Sequence, residues 1–146
     1  MNRLLWPALI LTSTACIGDD PGVVYQPRDT SWEGDNTPPV IEHEPIETTQ
    51  VYGDTVLLSA TVTDDESEVF VVQVFYRQET SSMWEHAALV DMQGDEVFDG
   101  QIPGNDVMTG GMYYYLYAMD TQENEAFDPP AGEDDPFHFR ISPDEG

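Results

Sequence analysis

From Pro38 onward the chain alternates between apolar and polar positions. Over Thr55 to Thr63, Val56, Leu58, Ala60 and Val62 share one parity, while Thr55, Ser59, Thr61 and Thr63 share the other. A period of two is that of a half-buried β-strand, whose successive side chains point to opposite faces. Val69 to Arg77 repeats the pattern, with Phe70, Val72, Val74 and Tyr76 on the face expected to enter the core. Met83 to Met92 gives a shorter strand around Ala87-Ala88-Leu89-Val90. Val97 to Pro103 places Phe98 and Ile102 on one parity. Met112 to Asp120 carries the strongest signal, with Tyr114, Leu116 and Ala118 facing in. Val40-Ile41 opens the series, and Phe137, Phe139 and Ile141 close it. Turn residues punctuate these runs: Val51 to Asp54, Asp64 to Ser67, Gln93-Gly94-Asp95, Gly104-Asn105-Asp106, Thr109-Gly110-Gly111, and an acidic, proline-containing loop after Asp120. No helical stretch of useful length competes, and no internal repeat is visible. The pattern predicts an all-β domain over residues 38–142, a seven-stranded Greek-key β-sandwich.

Several of these segments resemble a known family. Pro38-Pro39-Val40-Ile41, Ser59-Ala60-Thr61-Val62-Thr63-Asp64-Asp65, Val72-Gln73-Val74-Phe75-Tyr76-Arg77, Ile102-Pro103 and Tyr113-Tyr114-Tyr115-Leu116-Tyr117-Ala118-Met119-Asp120 are similar, in order and spacing, to bacterial immunoglobulin-like or fibronectin type III-like domains. The resemblance implies the sandwich fold and a binding or spacer role outside the cytoplasm, and it implies no particular ligand. The paired cysteines of antibody domains are missing.

The N-terminus reads as an address. Arg3 supplies a positive start, Leu4 to Leu11 an apolar core, and Thr12-Ser13-Thr14-Ala15 a run of small residues suited to a peptidase, so residues 1–15 are expected to be a signal peptide. The apolar run is far shorter than the roughly 20 residues a spanning helix needs. The single cysteine, Cys16, follows Ala15 directly. Ser13-Thr14-Ala15-Cys16 resembles the lipobox of bacterial lipoproteins, with the usual Ala before the cysteine and Ser13 where the family prefers Leu. The resemblance implies lipidation of Cys16 and cleavage before it. Several acyl chains, at about 0.8 kcal/mol per buried CH₂, give firm anchoring where one does not. Ile17 stands after the cysteine, where some enterobacterial lipoproteins carry an aspartate that retains them at the inner membrane, so the outer membrane is favoured where one exists. Residues 16–37 then read as a flexible acidic tether, reaching on the order of 60–70 Å if extended at about 3.3 Å per residue. Residues 143–146 form a short tail.

Charge narrows the choice of partner. The 146 residues hold 29 acids against four basic residues, all arginine, for a formal net charge of −25. A phosphate backbone needs a basic patch, and none can be assembled here, so nucleic acid is excluded as a partner. Adsorption to an anionic lipid surface is opposed for the same reason. With 40% hydrophobic residues, the chain nevertheless carries enough apolar surface to fold.

Candidate chemistry is sparse. His43, His86 and His138 are each expected on strand faces, without the spacing of a zinc site, and no nucleophile elbow or phosphate-binding glycine loop exists. The expectation is a non-catalytic protein. One acidic constellation stands out: Asp64, Asp65 and Glu66 follow the second strand, and Asp120, Glu123 and Asn124 follow the sixth. In a seven-stranded sandwich these loops emerge at the same end, where their oxygens suit a hard cation such as Ca²⁺. The alternative is that the acids only solvate their loops. A second feature is aromatic. Tyr113, Tyr115 and Tyr117 alternate away from the core beside Phe75, either as a binding face for a glycan or an envelope protein, or as rings covering one another. The function expected is that of a lipid-anchored envelope module for binding, adhesion or assembly. The alternatives are a spacer or accessory subunit of a larger complex, and a small hydrolase with an unrecognised site.

Overall fold

In the computed structural model, residues 34–143 are described. The expected signal peptide, Cys16, the tether up to residue 33 and residues 144–146 lie outside them. The described chain is mostly β, in two sheets. Nine strands run in order: β1 (Val40–Glu42), β2 (Gln50–Val51), β3 (Val56–Thr63), β4 (Val69–Gln78), β5 (Glu85–Leu89), β6 (Val97–Ile102), β7 (Gly110–Asp120), β8 (Glu125–Asp128) and β9 (Phe137–Ser142). The smaller sheet has the order β1-β3-β6, and the larger β2-β9-β7-β4-β5. Strand β8 also pairs with β7, through Leu116 to Met119, while β9 pairs with Gly110 to Tyr114. Since β4 occupies the other edge of β7, β8 and β9 follow each other along a single edge.

Two of these strands exceed the seven expected. β2 is two residues long and pairs parallel with β9, Gln50 opposite Ile141. β8 is four residues long and lies within the acidic loop. Both are too short to display a period, which is why the pattern shows only a turn and a loop there.

The alternating residues do form the core. Val56, Leu58, Ala60, Val62 and Ile102 from the smaller sheet meet Val72, Val74, Tyr76, Met112, Tyr114, Leu116, Ala118, Phe139 and Ile141 from the larger. Fully burying a large aliphatic or aromatic side chain contributes about 1.5–3 kcal/mol, so this layer is the main stabilising term. Phe70 is the exception among the expected core residues, at 68% exposed. The β4–β7 register slips between Val69 and Val71, and the irregularity leaves Phe70 without a partner on β7. A bulge inserts one residue and inverts the parity on one side of it. Val69, not Phe70, therefore packs against the core.

Close approach of the sheets fixes one glycine. A Cβ on Gly100 in β6 would lie 2.7 Å from the Ala88 carbonyl oxygen in β5. There the two sheets are joined by a bridge between Val90 and Asp99. The intervening loop is organised by Asp91, whose Oδ1 accepts the backbone N–H groups of Gln93, Gly94 and Asp95, and whose Oδ2 accepts that of Glu96 at 2.9 Å. Burial raises the Asp91 pKa, but these four donors outweigh it and hold the carboxyl below its ordinary value.

His43 differs from expectation. It lies just past β1 and is half-buried, not on an exposed strand face. Its Nδ1 donates to the Ser59 carbonyl oxygen at 2.8 Å, which leaves Nε2 to accept the Tyr114 hydroxyl at 3.0 Å. The Tyr114 oxygen in turn accepts the Ile46 backbone N–H at 2.9 Å. Tyr114 is fully buried, and burial pushes its pKa up to about 12. One hydroxyl thus ties the β1–β2 segment to the centre of β7. Tyr114→Phe leaves both the Ile46 N–H and the His43 Nε2 unpaired, and is expected to cost about 1–3 kcal/mol. Urea unfolding should show a lower midpoint at an unchanged slope.

A candidate cation site at one end of the sandwich

Strand register brings three aspartates together. Val40 pairs with Thr63, so the chain just before β1 lies beside the loop just after β3. Val69 pairs with Asp120, so the end of β7 lies beside the start of β4, at the far side of that same loop. Asp35, Asp64 and Asp120 meet there, each offering one carboxylate oxygen, and all three oxygens lie within 4.8 Å of one another. Two Ca²⁺–O bonds of about 2.3–2.6 Å each span that separation.

Each carboxylate is oriented by its own loop. Asp64 Oδ1 accepts the backbone N–H groups of Glu66 and Ser67 at 3.0 and 2.7 Å, together with the Ser67 hydroxyl. Asp120 is fully buried. Its Oδ1 accepts the N–H groups of Gln122 and Asn124, and its Oδ2 accepts the Asn124 side-chain amide at 2.7 Å. The same amide donates to the Asp35 backbone carbonyl at 2.8 Å. Asp35 Oδ1 accepts the Thr37 N–H at 2.7 Å.

These bonds leave two acceptors over. Asp35 Oδ2 and Asp64 Oδ2 are both buried and have no hydrogen-bond partner. A buried, unpaired carboxylate oxygen is costly unless something positive faces it. No arginine among the described residues pairs with a described carboxylate within 4 Å; the one close contact of a basic side chain with a carboxylate there is His138 with Glu79. Two of the three acids, Asp35 and Asp120, are nonetheless held on the ionised side. The Thr37 backbone N–H and the Ser67 hydroxyl draw the Asp35 pKa below its ordinary value, against burial and the nearby Asp120 charge. Burial raises the Asp120 pKa, and the hydrogen bonds from Asn124 and Gln122 more than offset it. Converging, partly unpaired carboxylate oxygens have the chemistry that a hard divalent cation requires.

Of the six residues expected at this end from sequence, Asp64 and Asp120 bring carboxylate oxygens to the cluster, and Asn124 braces Asp120 and Asp35. Asp65, Glu66 and Glu123 are exposed and lie outside the trio. Their place in the loops is different: Glu66 lends its backbone N–H to Asp64, and Glu123 takes a positive φ in the turn after β7. Asp35 was missing from the expectation, because it sits in a stretch whose composition reads as tether. The signal that would have found it is the pairing of β1 with β3, which no local pattern contains.

The aromatic residues also come together, on the outer face of the larger sheet. Phe75 lies opposite Tyr115 in the register, and their rings stack at 5.1 Å and 7°. Tyr117 meets Phe75 edge-on at 6.1 Å, and its hydroxyl donates to Glu125 at 2.7 Å. Two rings outside the alternating tyrosines join them: Trp84, which meets Tyr115 at 5.0 Å, and Phe127, which covers Tyr117. Tyr113 lies under the Arg77 guanidinium, which is 4.6 Å from that ring and 4.9 Å from Trp84. Tyr115 is only 8% exposed. The ring faces of Phe75 and Tyr115 are turned to each other, which favours mutual packing over a platform for a ligand.

The histidines stand apart. His43 serves Tyr114, His86 stacks loosely on Phe75, and His138 contacts Glu79 and Tyr113. Among the described residues, Asp35, Asp64 and Asp120 form the one group of three potential ligating side chains.

A double change, Tyr115→Ser with Tyr117→Ser, separates packing from binding on the aromatic face. Packing predicts a loss of about 2–5 kcal/mol in urea unfolding. An unchanged unfolding midpoint would show that the rings are not needed for the fold. Neither a protein-family model nor a curated protein matches this chain.

Proposed function

We propose that this chain is a non-catalytic, lipid-anchored module of the bacterial cell envelope, whose β-sandwich is completed at one end by a calcium ion. The observation that carries the reading is the convergence of Asp35, Asp64 and Asp120, of which Asp35 and Asp64 each carry a buried carboxylate oxygen that lacks a partner. Outside the cytoplasm calcium is available at millimolar levels, and weak extracellular sites of this kind bind in the 10⁻⁴–10⁻³ M range. The strand orders β1-β3-β6 and β9-β7-β4-β5 support an immunoglobulin-like or fibronectin type III-like sandwich, with β8 and β9 together taking the place of one final strand. Such a module presents loops and sheet edges to a protein or glycan partner, or spaces two parts of a larger assembly.

Anchoring rests on the apolar start of the chain and on Cys16 after Ala15. Among the described residues no helix is long and apolar enough to cross a membrane. Palmitate labelling of the expressed chain is expected to mark the wild type and to be lost in Cys16→Ser. Labelling that persists in that variant removes the anchor from the proposal.

Calcium at about ten times its Kd is expected to stabilise the fold by about 1.4 kcal/mol, a rise of several degrees in melting temperature. Asp64→Asn should abolish the rise. Titration calorimetry that records no heat with millimolar Ca²⁺, alongside an unmoved melting temperature, overturns the cation reading.

A further inference from the structure

We infer that the cation fastens the chain ahead of β1 to the sandwich, so that cation concentration decides whether residues 34–39 are docked or released. This inference rests on the cation reading above. The three carboxylates come from three separate stretches: one before β1, one after β3 and one at the end of β7. An ion shared among them is therefore a clip between segments, and not a brace within one loop.

The stretch from Gly34 to Pro39 has little else to hold it. The β1–β3 ladder begins at Val40, and β1 is an edge strand of three residues with Val40 57% exposed. Before that ladder, the hydrogen bond from the Asn124 amide to the Asp35 carbonyl joins the stretch to the turn after β7. The Thr37 N–H bonds only to Asp35 itself. Gly34 passes close to the Gln122 side chain, and Pro39 is buried. The remaining attachment point is the Asp35 carboxylate, which the Ser67 hydroxyl approaches, which meets the carboxylates of Asp64 and Asp120, and whose Oδ2 is buried without a partner. Without a cation, those neighbours repel Asp35. With one, the same three groups attract a common centre. The site is thus a sign switch placed on a segment that lies outside the strand ladders.

Release adds six residues, about 20 Å of extended chain, to whatever length precedes the domain. On the anchored reading, calcium would set how close the sandwich stands to its membrane.

The test is hydrogen exchange read by mass spectrometry on the full chain in detergent micelles. It compares Ca²⁺ at about ten times the Kd measured by calorimetry with excess chelator. Amides in the peptide spanning residues 34–42 should exchange about tenfold more slowly with Ca²⁺, the limit set by mass action at that concentration. In Asp35→Asn, calorimetry should show weaker Ca²⁺ binding, and the same peptide should exchange at the chelator rate under both conditions. Calcium that binds and raises the melting temperature without protecting residues 34–42 overturns the fastening and leaves the cation site standing. Equal slowing of every amide in the domain also overturns it, because the effect is then global. Wild-type affinity and protection in Asp35→Asn overturn it as well. A chain that binds no calcium loses the site and the fastening together.

Discussion

The pairing of β4 with β7 positions almost everything of interest in this domain. The two strands run side by side from Val71–Met119 to Gln78–Met112 in one continuous register. That register sends Val72, Val74, Tyr76, Tyr114, Leu116 and Ala118 inward together, and Phe75, Arg77, Tyr113, Tyr115 and Tyr117 outward together. The same ladder carries Asp120 to the edge of the loop that holds Asp64. A slip of one residue would exchange the core for the aromatic face. It would also turn the Tyr114 hydroxyl away from Ile46 and His43. Core, outer face and acidic end are three readings of one strand pair.

Much of this was legible in the chain. A period of two is set by strand geometry alone, so Val56 to Val62, Tyr114 to Ala118 and Phe137 to Ile141 announce their faces without tertiary help. Phe70 departs from its parity because a bulge is a tertiary event that leaves no mark in the spacing. β2 and β8 are too short for any period, and each gains its pairing only from a long neighbour already in place. At the acidic end, Asp64 and Asp120 were visible as loop acids at one end of a sandwich. Asp35 was not, since an acid contributed by the chain approaching β1 depends on which strand lies beside which. His43 was hidden in the same way: flanked by Glu42 and Glu44, it reads as solvent-facing, yet Tyr114 reaches it from far along the chain.

Acidity in this chain has two structural roles. Most acids are exposed and keep the surface hydrated and mutually repelling. A few are built into the backbone, with at least one carboxylate oxygen engaged by N–H groups of the chain. Asp91 shapes the loop between the sheets in this way, and Asp64 and Asp120 shape theirs. What distinguishes the Asp35–Asp64–Asp120 group is that this internal bonding stops short, so that unsatisfied oxygen is left over where three loops meet. Loop architecture orients these acids on its own, so that on the proposed cation reading the ordering cost of binding is lowered.

Arg77 carries a consequence for the medium this protein requires. Its guanidinium is held between Trp84 and Tyr113 and donates to the Ser81 carbonyl at 2.8 Å, so one of only four permanent cations is committed to rings and backbone. Arg140, the other described arginine, pairs with no described carboxylate. The folded domain is therefore a polyanion with almost no internal counter-charge. Its neutralising ions must be drawn from the surrounding electrolyte, over a screening distance of about 8 Å at physiological ionic strength. Dilution of that electrolyte acts on the whole surface at once, and the fold is best viewed as a protein together with its ion atmosphere.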